Sequence, residues 1–167
     1  MAEPDKRGEA DLLYLDDILV GQRFTTGTKL VNEAEIKVFA AAYDPQPFHL
    51  DDDAAQATLF GGLAASGWHT AAMTMRLLVD GGPPFAGGII GGGGELSWPR
   101  PTRPGDILLV ETEILEVTPS RSRPERGMVT VRNDTRNQNG EIVQSFTVKL
   151  VVQRRPAGRS STPPIPN

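Results

Sequence analysis

The chain has 167 residues, enough for one domain, and its 38% hydrophobic and 23% charged side chains suit a globular core with a solvated surface. Seventeen basic against 21 acidic residues give a formal charge of -4, so neither nucleic acid nor an anionic membrane is expected as a partner. No cysteine is present, which excludes disulfides, thiolate metal sites and cysteine nucleophiles, and two histidines leave no metal site to expect. The polar start Met-Ala-Glu-Pro-Asp-Lys-Arg-Gly lacks a secretory apolar stretch, no run reaches membrane-spanning length, and a cytoplasmic location is expected.

In chain order, the charged residues 1–12 and the proline-rich residues 155–167 read as disordered tails around one domain at 13–154. Residues Gln22 to Val31 alternate weakly and predict a first strand. Asn32 then reads as a helix N-cap, with Glu35 as capping-box partner and Val31 stapled against Ile36. Ile36, Phe39, Ala40 and Tyr43 form one apolar stripe, and Pro45 ends the helix because it disfavours helical geometry at Asp44. Residues Pro45 to Leu50 read as extended or turned, and Asp51-Asp52-Asp53 as the cap of a short helix over Ala54 to Thr58.

Trp68 to Asp80 predicts a longer helix closed by Gly81-Gly82-Pro83, with Ser66 as its cap. Its apolar residues leave almost no polar face, so it is expected to be buried at the centre. The cluster Gly87 to Gly94 lacks the residues of a phosphate-binding loop and reads as a flexible loop. From Ile107 onward the period becomes two: Val110, Thr112 and Ile114 alternate with Glu111 and Glu113, and Phe146, Val148, Leu150 and Val152 alternate with polar residues. A further strand over Met128 to Thr135 and a two-residue hairpin at Asn139-Gly140 complete an antiparallel meander. One buried helix followed by consecutive strands is an α+β arrangement, a sheet wrapped around a helix.

The candidate chemistry lies at Asp44 and His49. Prolines stiffen the loop between them, so that both side chains can converge on one water with little ordering cost. Gly67 opens the long helix, where backbone N–H groups and the positive dipole end favour an oxyanion and the missing side chain allows close approach. Spacing alone leaves the plain reading open: Asp before Pro is a common turn, and a lone histidine among apolar neighbours is more often structural. Ser66 is better explained as a cap than as a nucleophile, because no histidine partner is placed beside it. His69 fits either a pocket wall or packing, and Arg100 and Arg103 are candidates for meeting phosphate groups.

The segments Tyr43-Asp-Pro-Gln-Pro-Phe-His-Leu-Asp51, Ala54-Ala55, Phe60-Gly61 and Ala65-Ser-Gly-Trp-His69 resemble those of the MaoC-like dehydratases and (R)-specific enoyl-CoA hydratases. Trp98-Pro-Arg-Pro-Thr-Arg-Pro-Gly-Asp106 looks like that family's entry into the sheet. The resemblance spans residues 14 to 154. It implies a hot-dog fold and water held by Asp44 and His49. It also implies a thioester carbonyl polarised by the Gly67 amide, and no cofactor beyond coenzyme A as part of the substrate. The carrier would be coenzyme A or acyl carrier protein, and the assembly at least a homodimer. Gln46 stands where several such hydratases have Asn; it is one methylene longer and is assigned, with Ser66, to the substrate-binding surroundings. Two other functions share the fold. A thioesterase is disfavoured because Gly67 to Val79 holds no acidic residue, and a non-catalytic acyl-CoA-binding module would bind without turnover.

Overall fold

The computed structural model describes residues 12–156. The tails expected to be disordered therefore lie outside the described residues, apart from Leu12, Arg155 and Pro156. Arg155 is anchored, with its guanidinium 2.6 Å from Asp17 and 4.5 Å above the Tyr14 ring.

Ten elements follow a single 3-10 turn at Leu15–Asp17. They are β1 (Arg23–Thr25), β2 (Lys29–Leu30), α1 (Glu33–Tyr43), α2 (Pro47–Leu50), α3 (Asp52–Gln56), α4 (Gly67–Gly81), β3 (Gly91–Ser97), β4 (Ile107–Pro119), β5 (Arg126–Arg136) and β6 (Ile142–Gln153). The strands form one antiparallel sheet in the order β1-β4-β5-β6-β3, with β2 also on β4. The sheet packs one face against α4, and the core lies between them. Val31, Ile36, Met73, Leu77, Leu108 and Val110 fill one half, and Leu15, Phe85, Val129, Val131, Val148 and Leu150 the other. This is the hot-dog arrangement that the sequence resemblance implies.

The period-two pattern works as expected. In β4 Val110, Thr112 and Ile114 are buried while Glu111 and Glu113 face outward into ion pairs with Arg136 and Arg132. Other expectations change. The single strand over Gln22 to Val31 is two short strands, because Gly27 lies between them and both pair with β4. At the start of α1 the Asn32 side chain accepts from the Ala34 amide at 2.8 Å. Glu35, expected to close a capping box, instead pairs with Lys29 at 2.9 Å. Tyr43 is 77% exposed and leaves the apolar stripe.

The hairpin between β5 and β6 turns over Gln138-Asn139-Gly140 rather than two residues. Asn137 N–H donates to Glu141 O, and Gly140 takes the positive φ of 77° that such a three-residue loop requires.

The glycine cluster contains a strand where a loop was expected. Gly91 to Gly94 begin β3 and pair with β6 through a bulge, with Gly93 at φ 124°. A Cβ on Gly94 would collide with the Thr147 carbonyl, so the close approach of the two strands itself demands glycine. The long helix is buried on one side only: His69, Thr70, Met73, Thr74, Leu77 and Leu78 face inward. Trp68, Met75 and Val79 remain 62%, 41% and 50% exposed.

Candidate active site

Three elements converge at the amino end of α4. The first is α1, which stops where Pro45 forces Asp44 out of helical geometry, at φ -150° and ψ 66°, so its carboxylate turns away from the helix axis. Next, Pro47 starts the single turn α2, where an extended or turned segment was expected; proline is favoured in a first helical turn, its missing N–H being unneeded there. That turn carries His49 inward, 4% exposed. The third is the segment Leu63 to Ser66, which enters α4 with Ser66 as N-cap.

Hydrogen bonds orient both members of the pair. His49 Nδ1 lies 2.7 Å from the Ala64 carbonyl oxygen, which can only accept, so Nδ1 carries the proton. Nε2 then faces Asp44 Oδ2, 3.4 Å away. Asp44 receives two donors, Ser66 Oγ–H on Oδ2 at 2.7 Å and Gln46 Nε2–H on Oδ1 at 2.6 Å. Burial pushes its carboxyl upward, but these two bonds and the nearby His49 outweigh it and hold the pKa below the ordinary 3.8. A carboxylate and an imidazole nitrogen thus face each other across 3.4 Å.

A pocket of about 310 Å3 opens in front of the pair, and Gly67, Thr70, Trp98 and Arg100 complete its walls. Gly67 is the first residue of α4, where backbone N–H groups have no intrahelical acceptor. The structure therefore brings Asp44, His49, Gln46, Ser66 and Gly67 together, although they are spread over more than twenty positions of sequence. Ser66 has two tasks: its oxygen accepts from Trp68 N–H at 3.2 Å, as a cap does, while its proton goes to Asp44.

Residues 18–138 match the family model described as "MaoC like domain". The chain belongs to the MaoC-like family. This MaoC-like protein is 33% identical over 145 residues to the uncharacterized protein YdeM of Bacillus subtilis (strain 168), covering 85% of this chain and 100% of YdeM. Among solved structures, a MaoC-like dehydratase from Rhodospirillum rubrum is 63% identical with a TM-score of 0.85, covering 86% of this chain and 99% of that one. The unliganded R-hydratase PhaJ1 from Pseudomonas aeruginosa is 29% identical with a TM-score of 0.64, covering 92% and 96%.

One candidate of the MaoC-like chain stands elsewhere than expected from sequence, and the open case of His69 resolves as packing. Arg103 is turned inward, its guanidinium donating to the carbonyls of Phe60, Gly62 (2.7 Å) and Leu63 (3.1 Å), and so is committed to the loop rather than to a phosphate. Arg100 does line the pocket, paired at 3.3 Å with Glu141. His69 points away from the pair into a groove between α1 and α4, stacked on Phe39 at 4.7 Å with its Nδ1 unpartnered. Sequence reasoning missed the Ala64 carbonyl and the Trp98 wall. A backbone acceptor leaves no trace in residue identity, whereas an aromatic beside a proline-rich run was a signal available to read.

Proposed function

We propose that this protein is an (R)-specific enoyl thioester hydratase, or 3-hydroxyacyl thioester dehydratase in reverse, and that Asp44 and His49 are its catalytic residues. The observation that carries this reading is that Asp44 Oδ2 and His49 Nε2 face each other 3.4 Å apart beside the helix-end amide of Gly67. In this scheme the imidazole is neutral, and the two groups accept the two protons of one water, which leaves its oxygen lone pairs free for attack. That oxygen would bond to C3 of a trans-2-enoyl thioester, while the proton released to the pair is delivered to C2 from the same face. The atoms of one water are thereby used up in a syn addition. During the step negative charge gathers on the thioester oxygen, where the Gly67 N–H and the dipole of α4 would stabilise it.

Gln46 and Ser66 serve by keeping the Asp44 carboxylate ionised and aimed, and the acyl chain lies beside α4. The residues use no cofactor in this scheme, coenzyme A or an acyl carrier protein entering as part of the substrate. A second copy of the chain would cover the exposed stripe Trp68, Met75 and Val79 and the free edge of β3, giving a homodimer. Among the described residues no helix is long and apolar enough to cross a membrane.

The test is hydration of crotonyl-CoA, followed by the loss of enoyl absorbance, with wild type, Asp44→Asn and His49→Ala. Turnover by wild type that disappears in both variants supports the reading; undiminished turnover in both overturns the assignment.

A further inference from the structure

Two cavities lie along α4 and share no lining residue. One is the Asp44–His49 pocket, bounded by Thr70 and Trp98. The other, about 250 Å3, is walled by Met75, Leu78, Phe146, Val148 and Leu150. It exceeds the roughly 150 Å3 that holds a benzene ring in an apolar protein cavity, and so has room for several carbons of an acyl tail. An acyl group bound at the first cavity could reach the second only by crossing what stands between them.

What stands between them is one row of the sheet. Asn133 pairs with Phe146, and Val131 with Val148, and these rows line the apolar cavity. The adjacent row, Thr135 with Gln144, lines neither cavity. Gln144 is 1% exposed. Its Oε1 accepts from Trp98 Nε1 at 2.9 Å, and its Nε2 donates to Thr74 Oγ1 at 3.1 Å. Thr74 in turn lies 2.7 Å from Thr135 Oγ1, one turn of α4 from both Thr70 and Leu78. A polar chain therefore spans from sheet to helix and ends on the indole.

The indole is pinned on its other side as well. A Cβ on Gly67 would come within 2.7 to 2.9 Å of three Trp98 ring carbons, so the ring already rests against the bare backbone of the helix start. A buried amide is costly unless both its ends are paired, and Leu or Met would fill the same space without that demand. Gln144 is paired at both ends, and what the pairing secures is the position of a ring that forms a wall of the catalytic pocket.

We propose that Trp98 and Gln144, joined by their hydrogen bond, form the partition that limits the acyl tail accepted in front of Asp44 and His49, and that loosening it at either residue opens a way toward the apolar cavity. The proposal rests on the hydratase reading and adds a substrate class: short trans-2-enoyl thioesters. Trp98 is on this account a specificity-determining residue, and Gln144 a positioning residue acting through it.

The experiment compares kcat/KM for crotonyl-CoA and trans-2-octenoyl-CoA in wild type, Trp98→Ala and Gln144→Met. The ratio of the two substrates is read because it is insensitive to partial loss of folded protein. Wild type is expected to favour crotonyl-CoA by at least about tenfold, and Trp98→Ala to shift the octenoyl-to-crotonyl ratio upward by about tenfold or more, the range that a few methylenes of pocket space produce. Gln144→Met keeps the volume, removes the acceptor and shifts the ratio the same way by less. A wild type that takes both substrates equally, or a ratio unmoved in both variants, overturns the partition. Calorimetric binding of unreactive butyryl-CoA and octanoyl-CoA by the same three proteins separates the two claims. If wild type hydrates neither enoyl-CoA, the hydratase reading fails. The partition then stands if Trp98→Ala tightens octanoyl-CoA relative to butyryl-CoA, and falls if it does not.

Discussion

The pocket around His49 and the groove around His69 flank the first turns of the same helix, and each holds a buried imidazole, 4% and 7% exposed. In the pocket one nitrogen donates to the Ala64 carbonyl, and the other faces a carboxylate 3.4 Å away. In the groove the ring is stacked on Phe39 and Nδ1 has no partner. Burial pushes the His69 pKa below its ordinary 6.5; Glu35 opposes this and Lys29 adds to it, so the ring is neutral and serves as an aromatic plate. Burial of an imidazole alone therefore says little about chemistry. A bond that decides which nitrogen holds the proton, and a second group across from the other, make the difference.

This contrast can be broken most directly at the pair itself. Asp44→Asn and His49→Ala should each lower kcat for crotonyl-CoA hydration by about 10²- to 10⁴-fold, the usual contribution of a positioned acid or base. Next in size is Ser66→Ala, which removes one donor to Asp44 and the cap of α4. A drop in rate of roughly tenfold and a loss of about 1 kcal/mol in stability are expected. The same variant sharpens the electrostatic account. A carboxyl held below 3.8 by donors is easier to protonate once a donor is gone, so any acid-side loss of activity due to Asp44 must move to higher pH. Gln46 is more exposed, and Gln46→Ala should cost only a few-fold in rate.

The smallest effect on rate belongs to the groove. His69→Phe should leave kcat within about twofold and, by removing an unpaired buried nitrogen, raise stability by about 1 kcal/mol in thermal unfolding. Its sign with pH is fixed. A folded-state pKa below 6.5 means that the unfolded chain takes up the proton first, so His69 contributes stability above pH 6.5 that is lost as pH falls toward the folded value. His69→Phe should flatten that acid-side decline, and an unchanged slope would remove His69 as its source.

How much of this could be read from sequence depended on whether a residue's task was local. Asn32, Pro45 and Ser66 act on backbone within a few positions, and the bounds of α1 and the start of α4 were legible from them. The alternation of β4 and β6 was legible because one face of each is buried. Strand β3 was not, since glycines carry no side chain to show a period and the demand for them comes from Thr147 on another strand. The exposed stripe of α4 was missed because an apolar side chain reads the same whether it meets the chain's own sheet or a surface. Asp44 and His49 were legible as a pair, while the carbonyl that orients His49 and the glutamine that holds Trp98 depend on contacts made only in three dimensions.

The inward-turned guanidinium of Arg103 has a reach beyond its loop. It gathers the carbonyls of Phe60, Gly62 and Leu63, the last of them next in the chain to the Ala64 carbonyl that settles the imidazole proton. Because the carbonyls are met from two nitrogens of one planar fork, lysine has no equivalent geometry to offer. A change some forty residues downstream would therefore loosen the scaffold that chooses the tautomer, silencing the chemistry while every reacting group stayed in the chain.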